Sequence, residues 1–280
     1  MKNVYFFTAM FFCFLNRIVF AEGIDKADIY NKNSDLQWQW ANRAIEKYDW
    51  KGNERVLDIG CGDGKITAAI SNRTPNGDVI GLDISTNMID FAASMFKYNN
   101  LSFMLGNVLS MPFKDQFDLV VSFCALHWVL DQKTALFNIR ESLFEDGKAL
   151  IVIPALSSNN LSIKCEELVN DKKWDSHFLD FNSSKKVYFD QNEYENILKN
   201  VGFEIIHIET TYSETKYPNL ESFKEWLKPL VPFIGGLSEK LQEEFLIDLV
   251  NLLSYEITSD DSIIFPCFRL EALVKKTSLP

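Results

Sequence analysis

Arg55-Val56-Leu57-Asp58-Ile59-Gly60-Cys61-Gly62-Asp63-Gly64 decides how this chain reads. A short apolar strand runs into three glycines at alternate positions, and Lys65 to Asn72 continues with a helical pattern. Glycine lacks a Cβ, so such a turn bends sharply and lets backbone come close to a ligand. Alone, the turn also suits a dinucleotide or phosphate loop, or no ligand at all. The next strand, Asp78 to Asp83, ends in an acid. It lies about 20 residues after the glycine turn, as in ribose-binding α/β sites. By itself Asp83 equally suits capping of the following helix, where Ser85 competes. A third strand, Leu101 to Leu105, leads into Gly106-Asn107-Val108. There an amide can accept from an adenine amino group and Val108 can pack on the ring. Asn107 alone is also an ordinary turn residue. Three such groups at three successive strand ends point to one crevice, because open α/β sheets bind ligands beyond the carboxyl ends of their strands.

Working outward, Asn33 to Asp49 reads as a helix capped by Asn33 or Ser34, with Leu36, Trp40, Ala44 and Tyr48 at helical spacing. Asn87 to Phe96 and Gln132 to Leu143 are further helices; Phe117 to Ser122 and Lys148 to Ile153 are strands, the last after a turn at Glu145-Asp146-Gly147. Strands and helices alternate, and the strands are apolar runs without period-2 alternation. That pattern predicts a parallel sheet covered on both faces, wound by right-handed crossovers. Beyond it, Pro154 to Lys186 reads as an inserted helical region. Helices follow at Asn192–Asn200, Leu220–Leu227 and Glu239–Ser254, with strands at Phe203–Tyr212 and Ser262–Lys275. The expected architecture is α/β: a Rossmann-like, seven-stranded, mostly parallel sheet with helices on both faces and a C-terminal helical lid. One domain over residues 22–280 is expected, with lid elements near 155–190 and 216–256.

Composition bounds the function. Of 280 residues, 47% are apolar and 23 are Phe, enough for a sizeable core, and the net charge is -11. An acidic surface repels phosphate backbones, so no nucleic-acid partner is expected. Lys172-Lys173 and Lys185-Lys186 read as isolated solvated pairs. The five cysteines and three histidines follow no metal-ligand spacing, so neither a metal nor a disulfide framework is expected, and the thiols read as small apolar residues. Residues 1–21 combine a basic start, a short apolar run and a polar exit, which reads as a secretory leader or a hydrophobic anchor. Any membrane contact is expected only through that segment.

Val56–Gly64, Val79–Met88, Phe103–Val108, Phe117–Val129 and Ser142–Ile153 together resemble the motifs of the class I S-adenosylmethionine (SAM)-dependent methyltransferases, across roughly a third of the chain. The resemblance implies SAM as cofactor. It implies that the loop Asp58–Gly64, with Gly60, Cys61 and Gly62, holds the methionine part. It places Asp83 at the ribose, Ile84 and Met88 beside the adenine, and Asn107 and Val108 at the adenine edge. Tyr30 and Phe123 complete the implied cofactor set. Asn107 departs from the family's frequent Asp, which weakens adenine recognition. Ser122 to Val129 is similar to the Ala-Leu-Gln/His-Trp segment of the trans-aconitate, malonyl-carrier-protein and juvenile hormone acid methyltransferases. Ile29 to Gln37, Phe223 to Leu227 and Leu237 to Phe245 resemble the juvenile hormone acid enzymes. These relatives methylate a free carboxylate, which implies that Gln37 and Trp128 face a small-molecule carboxylic acid.

The chemistry suits such sparse equipment. A carboxylate is already ionised at neutral pH and needs no base to attack a sulfonium methyl. Alignment and exclusion of water suffice. The Gln37 amide and Trp128 indole can orient the acid without quenching it. His127 can donate, act as a base for a phenol or amine, or simply pack beside Trp128. Trp38 and Trp40 read as core. Two other readings stay open: methyl transfer to nitrogen, phenol oxygen or carbon, and a non-catalytic SAM-binding or exported interaction protein. SAM is made inside cells, which pulls against export and leaves localisation undecided.

Overall fold

The computed structural model describes residues 34–178 and 186–277. At its centre is the strand that feeds the glycine turn. β1 (Arg55–Ile59) is buried from Val56 onward. It pairs in parallel with β2 (Asp78–Asp83) on one side and β4 (Phe117–Phe123) on the other. β3 (Leu101–Leu105) adds beyond β2, and β5 (Leu143–Pro154) beyond β4, both parallel. β8 (Ile263–Lys276) then pairs antiparallel with both β5 and β6 (Phe203–Tyr217). The order is β3-β2-β1-β4-β5-β8-β6. The chain winds outward one way from β1 and the other way from β4, so the crevice beyond their carboxyl ends is the topological switch point.

The central strands bury both faces. Val56, Leu119, Val121, Leu150 and Val152 face one core, while Leu57, Val120, Ala149, Ile151 and Ile153 face the other. The first face carries α1 (Asp35–Lys47) and α2 (Lys65–Ser71). It also carries α5 (Leu161–Val169), α7 (Leu220–Leu227) and α8 (Glu239–Leu252). The second carries α4 (Gln132–Ser142) and α6 (Gln191–Val201). α3 (Thr86–Met95) follows β2. Its N-cap is Ser85, whose hydroxyl accepts from the Met88 N–H, so Asp83 is free for another role. Gly202 ends α6 in the left-handed conformation, as its position in the sequence implies.

Three expectations need correction. An eighth strand exists: β7 (Glu256–Ile257) pairs with the start of β8, and two exposed residues leave no apolar signal to find it by. β6 continues to Tyr217, because β8 pairs with it along its whole length to Ile263; propensity ends the strand early and pairing extends it. Glu145-Asp146-Gly147 lies inside the span of β5, as an irregularity with Asp146 at φ 65 and a register shift against β4. At the start of α1, Ser34 occupies the N-cap position without a side-chain capping bond. Asn33, Tyr30 and the leader at 1–21 lie outside the described residues. No helix among the described residues is long and apolar enough to cross a membrane.

Gly60 leaves no room for a side chain. Its φ is +71°, and a Cβ there would stand 2.2 Å from the Cβ of Ala125. A left-handed alanine alone costs roughly 1–2 kcal/mol, and the overlap adds to it. Gly60→Ala is expected to lower the unfolding free energy by about 2 kcal/mol or more, read from urea midpoints. An unchanged midpoint would show that the turn can relax.

Candidate active site

At the carboxyl ends of β1, β2 and β4 the turn after Ile59 is pinned to the neighbouring strand. The Gly60 and Cys61 N–H groups both donate to the Leu82 carbonyl, at 2.7 and 3.1 Å. That brings the Gly62 N–H to Oδ2 of Asp83 at 2.9 Å, while the Ser85 N–H donates to Oδ1 at 2.9 Å. The Asp83 carboxylate is therefore fixed in orientation. It lines a cavity of about 190 Å³ together with Gly60, Gly62, Ile84, Met88, Asn107 and Val108. Ile84 is 46% exposed at its rim, an aliphatic face open to a ligand.

A second cavity of about 160 Å³ lies on the α1 side of the sheet. The two share Cys124 and Trp128 in their linings. Cys124 sits at that junction with φ +53°, an uncommon conformation for a side-chain-bearing residue. Its N–H is held by the Val152 carbonyl at 2.8 Å. Burial pushes its thiol up to about 12, so it is no nucleophile. The short 3-10 turn Leu126–Trp128 that follows is clamped by the Gln132 amide, which donates to the carbonyls of Leu126 and Val129 at 2.7 and 2.6 Å.

The second cavity has apolar walls, among them Leu36, Leu161, Phe265 and Phe268. Four of its lining residues carry buried polar atoms without a protein partner: Gln37 Oε1, Trp40 Nε1, His127 Nδ1 and Trp226 Nε1. Buried polar groups are normally satisfied, so four around one apolar hollow mark a place built for a polar group of a ligand. Burial, reinforced by Lys186, pushes the His127 imidazole well below its usual range and keeps it neutral.

A family model described as "Methyltransferase domain" matches residues 51–202, more than half of the chain. The chain belongs to that methyltransferase family. It is 29% identical to juvenile hormone acid O-methyltransferase of Bombyx mori over 82% of this chain and 86% of that one. It is 24% identical to trans-aconitate 2-methyltransferase of Escherichia fergusonii over 80% and 87%. Among solved structures, the YcgJ protein of Bacillus subtilis superposes with a TM-score of 0.61 at 21% identity, over 86% of this chain and all of that one. Phosphoethanolamine N-methyltransferase 2 of Haemonchus contortus, in complex with S-adenosyl-L-methionine, gives 0.59 at 19% identity, over 91% and 57%. These likenesses carry the fold. As a class I methyltransferase the enzyme takes SAM as its methyl donor.

The first cavity fits that cofactor. Its glycine wall leaves no room for a Cβ at Gly60 or at Gly106, where one would stand 2.5 Å from Leu82 Cδ1. It offers one fixed carboxylate and apolar walls, matching a ribose beside an adenine. Acidic groups gather at the glycine turn, which suits a ligand carrying a sulfonium and an ammonium. Burial pushes the Asp58 carboxyl up to about 7, against the Thr67 hydroxyl and reinforced by Asp83 and Asp63. Burial also raises Asp83, against the N–H groups of Ser85, Gly62 and Ile84.

The structure gathers Gly60, Gly62, Asp83, Ile84, Met88, Asn107, Val108 and Trp128 at the first cavity, and Gln37, His127 and Trp128 at the second. Asp58, Cys61 and Phe123 line neither. Asp58 is buried and accepts from the Thr67 hydroxyl at 2.7 Å, tying β1 to α2. Cys61 and Phe123 are buried too, Phe123 in the core beneath α1. Asn107 also makes the turn that its residue type suggests, its Oδ1 accepting from the Leu109 N–H at 2.9 Å. Trp40, Trp226, Cys124 and Lys186 are not legible as site residues in the sequence. Trp40 shows only as one apolar position of a helix, and Lys186 as half of an exposed-looking pair.

The raised Asp58 carboxyl predicts a pH signature. The unfolded group ionises near 4, while the folded group keeps its proton to about 7. Between those values the folded state binds more protons, so the stability of wild type relative to Asp58→Asn falls as pH rises. The slope is at most about 1.4 kcal/mol per pH unit, flattening on both sides. A relative stability independent of pH from 4 to 7 in chemical denaturation would contradict a buried, protonated Asp58.

Proposed function

We propose that this methyltransferase methylates the free carboxylate of a small, partly apolar acid held in the second cavity. The observation that carries the reading is the set of orphaned polar groups on Gln37, Trp40, His127 and Trp226, in a hollow with largely apolar walls that meets the cofactor cavity at Trp128 and Cys124. Two indole N–H groups and an amide, which presents either oxygen or nitrogen by rotation, match the acceptor oxygens of a carboxylate. Two relatives named for methylating acids, those from Bombyx mori and Escherichia fergusonii, support the same class.

The residues divide the work. On this reading Asp83 accepts from the ribose hydroxyls, Ile84, Met88 and Val108 enclose the adenine, and Gly60 and Gly62 let the backbone approach the methionine part. When bound, SAM supplies a sulfonium methyl: the O–C bond forms as the C–S bond breaks, its electron pair goes to sulfur, and no proton moves. Gln37, Trp40 and Trp226 orient the acid toward the junction. The apolar walls exclude water, so the carboxylate meets the methyl with little of its hydration. His127, held neutral by burial, is a weak base, which suits an acceptor that arrives ionised.

The test is a panel of free acids, amines and phenols with release of S-adenosylhomocysteine as the readout. Acids are expected to turn over. Gln37→Ala and Trp40→Phe are each expected to lower kcat/KM by roughly 10–100-fold, the worth of a hydrogen bond to a charged group, with the affinity for S-adenosylhomocysteine retained. Turnover confined to amines or phenols would overturn the carboxyl reading.

A further inference from the structure

Lys186 reads in the sequence as a solvated charge, but the fold turns it inward. The Val187 N–H donates to the His127 carbonyl at 2.8 Å, which ties this segment to the turn that carries Trp128. The Lys186 Nζ then stands 3.9 Å from the centroid of the Trp128 ring. Lys186 lines the second cavity and is the one ionised side chain among its described lining residues. Among the described residues no carboxylate pairs with it. In a chain with 39 acidic residues against 28 basic ones, a half-buried cation at the wall of a largely apolar hollow, with no carboxylate beside it among the described residues, needs a reason. Burying an unpaired charge is costly, and the cost is recovered when an anion arrives.

We infer that Lys186 is the counter-ion for the reacting carboxylate and makes the acceptor pocket selective for anions. The proposal rests on the second cavity being the acceptor pocket. The position of the ammonium supports the reacting group as its partner, since Trp128 is shared with the cofactor cavity and the methyl must cross beside it. The two cavities are then of opposite sign. Asp83 is the acid lining the first, which suits a cationic donor, and Lys186 suits an anionic acceptor. An amine acceptor would meet repulsion. An ion pair stabilises the carboxylate before the reaction and loses its partner's charge as the ester forms, so Lys186 acts on binding. Its removal is expected to raise KM and leave kcat unchanged or higher.

The test uses the full chain with S-adenosylhomocysteine bound. Octanoate and octanamide, its neutral isostere, are titrated against wild type, Lys186→Met and Lys186→Arg. Wild type is expected to prefer octanoate by about 10-fold or more. Lys186→Met is expected to lose that preference while keeping its affinity for S-adenosylhomocysteine, and Lys186→Arg to restore most of it. In wild type the preference should also fade as pH rises past about 8, the value to which burial lowers the Lys186 ammonium. The groups facing it stay neutral there, with His127 pushed down and Cys165 and Tyr188 pushed up by burial. A wild type that binds octanoate no better than octanamide overturns the inference, as does a preference that survives in Lys186→Met. So does a loss confined to kcat, which would make Lys186 a base. The parent reading is scored separately by turnover. Octanoate methylated with no dependence on Lys186 removes the anchor and keeps the carboxyl reading. Octanoate bound through Lys186 while turnover is confined to amines or phenols leaves Lys186 as an anion site and removes carboxyl transfer.

Discussion

Two N–H groups on one carbonyl hold this site together: Gly60 and Cys61 both donate to Leu82. The contact requires the left-handed turn at Gly60 and the absence of a side chain facing Ala125. Through it the end of β1 is locked against the end of β2, and the Gly62 N–H comes to the Asp83 carboxylate. Remove the turn and the carboxylate loses a donor, the first cavity loses its wall, and Ala125 loses the space that lets the turn around Trp128 approach. The crevice at the switch point is thus a consequence of one backbone arrangement, with the side chains placed on it afterwards.

The second feature is adjacency. Trp128 and Cys124 line both cavities, so a donor in one and an acceptor in the other would meet across a single residue layer. Cys124 holds this position with a positive φ, of the kind that persists where the surroundings over-determine it. The Val152 carbonyl on its N–H and the Gln132 clamp on the following turn supply that constraint. Methyl transfer to an ionised oxygen asks for alignment and dryness more than for acid–base machinery. The neutral His127 and the high thiol of Cys124 agree with this.

Much of this is legible in the sequence. β1 and β2 begin and end where their apolar runs do, because central parallel strands are buried on both faces and leave an unbroken signal, whereas β3 is a half-exposed edge strand whose end is marked by Gly106. Gly60, Gly62, Asp83 and Val108 stand at strand ends and line one cavity, where the local pattern alone marks a candidate site. What escapes depends on tertiary packing. Trp40 and Trp226 lie on helices whose apolar faces read as core, and only the folded chain shows their N–H groups left unsatisfied beside a hollow. Lys186 follows another lysine and looks solvated until the contact of Val187 with His127 turns it inward. β7 is too short to have a period, and the full length of β6 is set by its partner. Asp58 shows the reverse: its motif suggests ligand contact, while its carboxyl is spent on Thr67.

The most direct test is a crystal structure of the full chain with S-adenosylhomocysteine and octanoate bound together. The expected result places the ribose on the Asp83 carboxylate, the adenine between Ile84 and Val108, and the sulfur at the Cys124–Trp128 junction, with the octanoate carboxylate across it beside Gln37 and Lys186. A sulfur directed away from that junction, or an acid bound outside the second cavity, would contradict a donor and an acceptor that meet across Trp128.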